Sequence, residues 1–215
     1  MKEQLQKDFD NTIKNLSLSQ KDIEIKKFSL DNFINKGFPN RKEEDWKFSD
    51  LNQIINKNIG ELSFYNDYTS TNKVDTSVFV DGLEHNKIVF INGRIEKIDF
   101  DYEKKGQIEI IDQSETINKF DNNNSLSDLN NAFTNKCFKI VIKTGYQLLK
   151  PLIIYHTTNS KIWSKNINLR LDFELQEDSC LRLIDLFNDT SEKNFLNIFY
   201  NFNLKEDAIL KNYKV

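Results

Sequence analysis

The chain has 215 residues, 30 Lys and Arg against 33 Asp and Glu, a formal net charge of −3, and 12% aromatic residues including 17 Phe. That length suits one substantial domain, or one with a smaller companion, and the aromatic content argues for a packed core. The mildly acidic balance gives no footprint for nucleic acid or an anionic membrane, and the six glycines stand too far apart to write a P-loop or a G-x-G-x-x-G dinucleotide loop.

Residues 1–36 read as helix. Leu5, Phe9, Ile13 and Leu16 recur at three- to four-residue steps, and Ser19 can cap a second stretch carrying Ile23, Phe28, Leu30, Phe33 and Ile34. Gly37 and Pro39 stop it. The pattern predicts a further helix from about Glu43 to Ile55, with Trp46, Leu51, Ile54 and Ile55 as its apolar positions. Residues 60–86 are polar and weakly periodic, a linker with weak strands. From residue 87 the period changes to two. Ile88–Ile91 meets Asn92-Gly93 and then Arg94–Ile98, a hairpin signal because both turn residues tolerate positive φ. Gln107–Ile111 predicts a strand, Asp121–Ser125 a polar loop and Ser125–Thr134 a short helix.

The last third is the most regular. Ile167, Leu169, Leu171, Phe173 and Leu175 alternate with Asn166, Asn168, Arg170, Asp172 and Glu174, predicting a strand with one buried face. Residues Phe173–Arg182 then recur as Phe202–Lys211 with five identities at a constant offset of 29, and Ile140–Leu148 fits the same frame at an offset of 33. A strand–turn–strand unit at about 30 residues is the signature of a β-solenoid. The fold class is therefore mixed α+β. We divide it into an N-terminal helical region (1–59), a mixed connecting region with the Asn-Gly hairpin (60–135) and the first rungs of a β-helix (136–215), which stop inside a strand pattern as a truncated solenoid does.

Candidate chemistry is sparse. Cys137 and Cys180 form no C-x-x-C; two thiolates cannot complete a four-Cys iron–sulfur or zinc site, and both read as small buried hydrophobes. His85 and His156 make no H-E-x-x-H; His156 follows Ile153-Ile154-Tyr155 and reads as structural, while His85, Tyr65 and Tyr68 gain no role. Glu177-Asp178 and Glu206-Asp207 sit where the repeat turns, so they read as turn formers rather than a paired acidic site. Trp46 reads as an inward anchor. Arg41, Lys42 and Lys47 are interleaved with Glu43, Glu44 and Asp45 as a solvated mixed-charge surface. Met1–Asp8 lacks the apolar stretch of a secretory signal, and the most apolar window, Leu148–Tyr155, is short and holds Lys150 and Pro151. The expectation is a cytoplasmic protein that engages neither membrane nor nucleic acid.

The segment Gly37–Leu51 resembles the N-terminal signature of the SufD family, scaffold subunits of the SUF iron–sulfur cluster assembly system. Pro39, Arg41, Lys42, Glu44, Trp46, Lys47, Phe48, Ser49 and Leu51 satisfy the pattern P-x-R-K-x-E-x-W-K-[YF]-[ST]-x-L, which the sister SufB sequences do not share. Val89-Phe90-Ile91-Asn92-Gly93, Leu129-Asn130-Asn131-Ala132-Phe133 and Lys150-Pro151-Leu152 are similar to further family segments in the same order. The resemblance implies a helical N-terminal region followed by a right-handed parallel β-helix, and a non-catalytic scaffold acting with a SufB-like subunit and a SufC-like ATPase. The iron–sulfur cluster would be assembled on that larger complex, with no cofactor in this chain. The later rungs and C-terminal helices of the family have no counterpart here, so no catalytic, cofactor-binding or metal residue is carried over. The competing readings are a carbohydrate-active β-helix enzyme, for which Asp172, Glu174 and Arg170 offer a sparse charged set, and a stand-alone solenoid module whose open edge adds strands to a partner.

Overall fold

The computed structural model describes residues 2–14, 16, 18–60, 63–64, 79–114, 124–158, 162–189 and 193–215. Helix α1 (Lys2–Lys14) buries Leu5 and Phe9 one turn apart. Helix α2 (Gln20–Lys36) starts at Ser19, whose hydroxyl accepts from Asp22 N at 3.2 Å. It stops at Gly37, which takes φ 74° and donates its N–H to Phe33 O at 2.7 Å.

The single helix expected over Glu43–Ile55 is instead a 3-10 turn (Glu44–Trp46) and a separate helix α3 (Leu51–Asn58). Short polar side chains explain the break. Asn40 Oδ1 accepts from Lys42 N at 3.1 Å, and Asp50 caps α3 by accepting from Gln53 N at 2.9 Å. Trp46 therefore sits on the turn, half-buried against the helical core, and Ile54 faces outward. Helix α4 (Ser125–Phe133), capped by Asn124, completes this layer. Leu30, Phe33, Leu129 and Phe133 form its centre with Leu5 and Phe9.

The strands are β1 (Ser63–Phe64), β2 (Asn86–Ile91), β3 (Arg94–Asp99), β4 (Ile108–Asp112), β5 (Cys137–Ile142), β6 (Leu152–Thr158), β7 (Lys165–Leu175), β8 (Cys180–Asp189), β9 (Phe195–Leu204) and β10 (Ile209–Lys214). They build two mixed sheets. In the first, β7 pairs with β1, β5 and β9, all parallel, and β4 pairs antiparallel with β5. The second has the order β10-β8-β6-β2-β3, parallel except for the β2–β3 hairpin, where Asn92 and Gly93 take φ 53° and 78°. From β5 onward the chain visits the two sheets in strict alternation, and their facing apolar side chains form one core around Ile140, Ile154, Leu171, Phe173 and Leu183.

The sequence repeat is the register. Phe173 pairs with Phe202 and Leu181 with Leu210, both at the 29-residue offset, while Ile140 pairs with Phe173 at 33. The turn residues correspond as well: Gly145, Asp178 and Asp207 take φ 69°, 56° and 53°. Gly145 N donates to Glu177 O and Asp178 N to Glu206 O, so one turn stacks on the next. The frame slips by two residues twice, once between β5 and β6 and once between β6 and β7, where the offset falls from 31 for Thr158 and Asp189 to 29 for Asn166 and Phe195. At the first slip Gln147 aligns with Cys180, but Leu152 pairs with Leu183, and Leu149-Lys150 absorb the difference.

The one-faced burial expected for β7 is overturned. Asn166, Asn168, Arg170 and Asp172 on its outer face are buried too. Helix α4 lies over part of that face: Asn130 Nδ2 donates to Leu169 O at 3.1 Å and to Asn197 O at 2.7 Å.

Strand β9 has only β7 as neighbour and β10 only β8 among the described residues. Ile198, Tyr200, Phe202 and Leu210 are half-buried against the core, and Ile209, Tyr213 and Val215 are exposed. Uncovered apolar side chains beside unpaired strand amides favour association. The isolated chain is expected to self-associate as concentration rises, measured by size-exclusion chromatography with light scattering. A monomer unchanged at tens of micromolar, an order-of-magnitude range for exposed edges, would show that this edge is innocuous.

Candidate functional site

Three polar assemblies, buried or half-buried, are built into this framework. The first lies between the sheets. Asp185 pairs with Ile154, and His156 with Phe187, so His156 and Asp185 project from the same inner face of neighbouring strands. Tyr200 reaches across from β9. The Tyr200 hydroxyl donates to Asp185 Oδ1, and its oxygen lies 2.8 Å from His156 Nε2. A hydroxyl has one proton and the carboxylate takes it, so His156 carries its proton on Nε2 and donates to the Tyr200 oxygen. The imidazole is stacked between Phe90 and Phe187, with ring centroids 5.4 and 4.9 Å away. Burial pulls the His156 pKa down; the hydrogen bond and charge of Asp185 oppose this without reversing it. Burial and the Asp185 carboxylate push the Tyr200 hydroxyl far above the ordinary phenol range.

The second assembly is the outer face of β7. Arg170 holds Asp172 with both nitrogen forks, Nε to Oδ1 at 3.0 Å and Nη2 to Oδ2 at 2.8 Å. Lys139 Nζ pairs with Glu174 at 2.8 Å, and this ion pair keeps the Glu174 carboxyl below its ordinary range. Asn201 and Asn203 of β9 line the same shallow groove. The residues that suggested a carbohydrate-active enzyme thus lie side by side, but each carboxylate is held by its own cation. Glu174 is no proton donor near neutral pH, as a general acid would have to be.

The third assembly is a clamp on the first two-residue insertion. Glu103 accepts from Asn86 Nδ2 at 2.7 Å, Tyr146 Oη at 2.7 Å, and the backbone N–H groups of Leu149 and Lys150 at 3.1 Å each. Burial raises its pKa, but these four donors outweigh burial and leave it lowered.

The remaining candidates fall elsewhere. His85 is buried on the outer face of the second sheet, where Tyr155 Oη donates to its Nε2 at 2.8 Å and its Nδ1 donates to Leu83 O at 2.6 Å. That hydroxyl in turn accepts from Val80 N at 3.0 Å, tying residues 80–85 down. Cys137 is buried and its thiol is pushed up to about 11 by burial, whereas Cys180 is half-buried rather than enclosed. Glu177, Asp178, Glu206 and Asp207 are exposed turn residues. Tyr65 and Tyr68 lie outside the described residues. Among the described residues no three His, Cys, Asp or Glu gather as a metal site, and no helix is long and apolar enough to cross a membrane.

The signature segment forms a compact loop between α2 and α3. Leu51 N donates to Pro39 O at 3.1 Å, and Glu43 Oε1 accepts from Asn40 N at 3.2 Å. Phe38 and Leu51 are buried, while Arg41, Lys42, Glu44, Lys47 and Phe48 are displayed to solvent, Phe48 at 89% exposure. Neither half-buried Glu103 nor buried Asp185 is marked in the sequence, since their partners lie 17 to 47 and 15 to 29 residues away.

Comparison with protein-family models and with curated proteins finds no match to this chain.

Two outcomes follow from this geometry. Removing one partner of the Arg170–Asp172 pair strands a buried charge, so Arg170→Ala should cost about 3–5 kcal/mol, while Arg170→Met with Asp172→Leu should recover most of it. Urea unfolding measures both. The second concerns pH. His85 and His156 are both held neutral, with pKa values below the ordinary 6.5, and burial is the first cause of each shift. Between 6.5 and those lowered values the unfolded chain binds more protons than the folded one, so stability is full above 6.5 and falls as pH drops through that window. Chemical unfolding between pH 7.5 and 5 should show this slope, reduced in His85→Gln.

Proposed function

We propose that this chain is a non-catalytic scaffold subunit for iron–sulfur cluster assembly, SufD-like, acting in the cytoplasm with a SufB-like subunit and a SufC-like ATPase. The observation that carries the reading is the alternation of β5 to β10 between two parallel ladders at a near-constant register. We take these strands as the first coils of a right-handed parallel β-helix, the fold that the signature at Pro39–Leu51 implies. The order of the elements supports it: helices and the signature loop first, then the hairpin, then α4, then the stacked strands.

In this reading the chain contributes surfaces. The unpaired edges of β9 and β10 dock the partner subunit by strand addition, which supplies affinity through main-chain hydrogen bonds. Phe48 and its flanking charges offer a second contact, of the kind aromatic anchors make at interfaces. The cluster is cargo of the assembled complex and not a resident group of this chain.

Co-expression with a SufB-like and a SufC-like subunit tests the proposal. A stable complex is expected, with ATP turnover confined to the SufC-like subunit. Replacing the exposed Ile209 and Tyr213 with Asp should prevent co-purification while leaving the melting transition in place. ATP hydrolysis by the clean isolated chain, or no complex with intact protein, would overturn it.

A further inference from the structure

We propose that His156, Tyr200 and Asp185 form a proton-controlled latch that holds β9 and β10, an edge strand of each sheet among the described residues, and that mild acid releases it. The proposal concerns regulation of the edge read above as a docking face and rests on that reading for its consequence alone.

Position carries the argument. The inner faces of β6, β8 and β9 around this point are otherwise apolar, with Ile154, Leu183, Ile198 and Phe202. His156 is 2% exposed and Asp185 is fully buried, although Asp185 is one strand and His156 two strands from the β10 edge. Their cover is β9, which supplies Tyr200, and β10, where Lys214 stands directly opposite Asp185 in register. The Lys214 ammonium lies 5.0 Å from the Tyr200 ring centre. Detaching either strand uncovers the carboxylate; closing both requires the three polar groups to satisfy one another.

They do so in one protonation state, save for Asp185 Oδ2, which is buried with no hydrogen-bond partner among the described residues. The relay runs from His156 Nε2–H to the Tyr200 oxygen, and from the Tyr200 hydroxyl to Asp185 Oδ1. A further proton must go to His156 Nδ1, which has no hydrogen-bond partner among the described residues. The cation so formed would be held between two phenyl rings. The charged and titratable groups that face it are Asp185 from β8, with Oδ1 3.6 Å from Nε2, the Tyr200 hydroxyl from β9, and Lys214 from β10. From β2 and β7 its neighbours are the apolar Phe90, Ile167 and Leu169. Asp185 favours that cation, but its Oδ1 is held by Tyr200 and its Oδ2 has no hydrogen-bond partner among the described residues, so burial of the ring and the charge of Lys214 outweigh it. An open state, with β9 and β10 lifted and the imidazole in water, accepts the proton at its ordinary pKa. Proton linkage therefore raises the open population as pH falls through 6.5, the ordinary histidine value.

The test is amide hydrogen exchange of the intact chain at pH 7.5 and 5.5, corrected for intrinsic exchange. Amides of 195–204 and 209–214 should open about tenfold more often at the lower pH, the equivalent of one pKa unit of linkage, while those of β2 and β5 stay unchanged. His156→Gln, which still donates to Tyr200, should abolish the difference, and His85→Gln should keep it. The chain has two histidines, so the His156 ring resonance can be followed by NMR in the unmutated protein and should titrate in step with the exchange. Edge exchange that is indifferent to pH, or that keeps its pH dependence in His156→Gln, overturns the latch. Failure to bind a SufB-like partner would leave these results standing, because they need only the isolated chain.

Discussion

Strand β7 has almost no side that faces water, and much of the molecule is arranged to make that tolerable. Its inward residues Ile167, Leu169, Leu171, Phe173 and Leu175 fill the space between the sheets. Its outward residues are polar and nevertheless buried, which costs free energy unless each finds a partner. Asn168 Nδ2 donates to Asn166 Oδ1, Asn197 Nδ2 donates to Asn168 Oδ1, and Arg170 closes on Asp172. Helix α4 is bound to this polar row through Asn130, so the helical layer and the first sheet share one set of hydrogen bonds.

The joint between α2 and α4 follows the same logic. Lys26 is completely buried and donates to the carbonyls of Asn131, Ala132 and Thr134 at the end of α4. Those are the acceptors a helix terminus leaves unpaired. Burial pulls the Lys26 pKa down to about 7, and the charge of Asp22 opposes it. Three carbonyls use all three N–H groups of an ammonium, which a neutral amine cannot supply. Lys36, half-exposed, adds an ion pair with the buried Asp128 at 2.9 Å. Glu103 plays the corresponding part in the β-region, where four donors fix one of the two places at which the repeat gains two residues.

These charged groups serve architecture, and that fits a protein whose proposed work is done by surfaces. The Arg170–Asp172 and Lys139–Glu174 pairs neutralise each other within one groove. The interior relay at His156 differs because it lies just behind the open edge. Any event at that edge must reckon with Asp185, which is buried only while β9 and β10 remain seated.

Much of this was written locally in the sequence. Ser19 and Gly37 bound α2, Asn92-Gly93 makes the hairpin, and the 29-residue repeat is the parallel register itself, because stacked strands bury equivalent positions on equivalent neighbours. The helix expected through Trp46 failed where Asn40 and Asp50 offered the backbone nearer partners than a helical ladder. The alternation in β7 revealed which residues face inward, yet not that the other face is covered, since α4 arrives from some 40 residues away in sequence. The same reason hides the pairings of Glu103, Lys26 and Asp185. A buried charge is legible only through its partner, and these partners come from distant segments that tertiary folding alone brings within hydrogen-bond range.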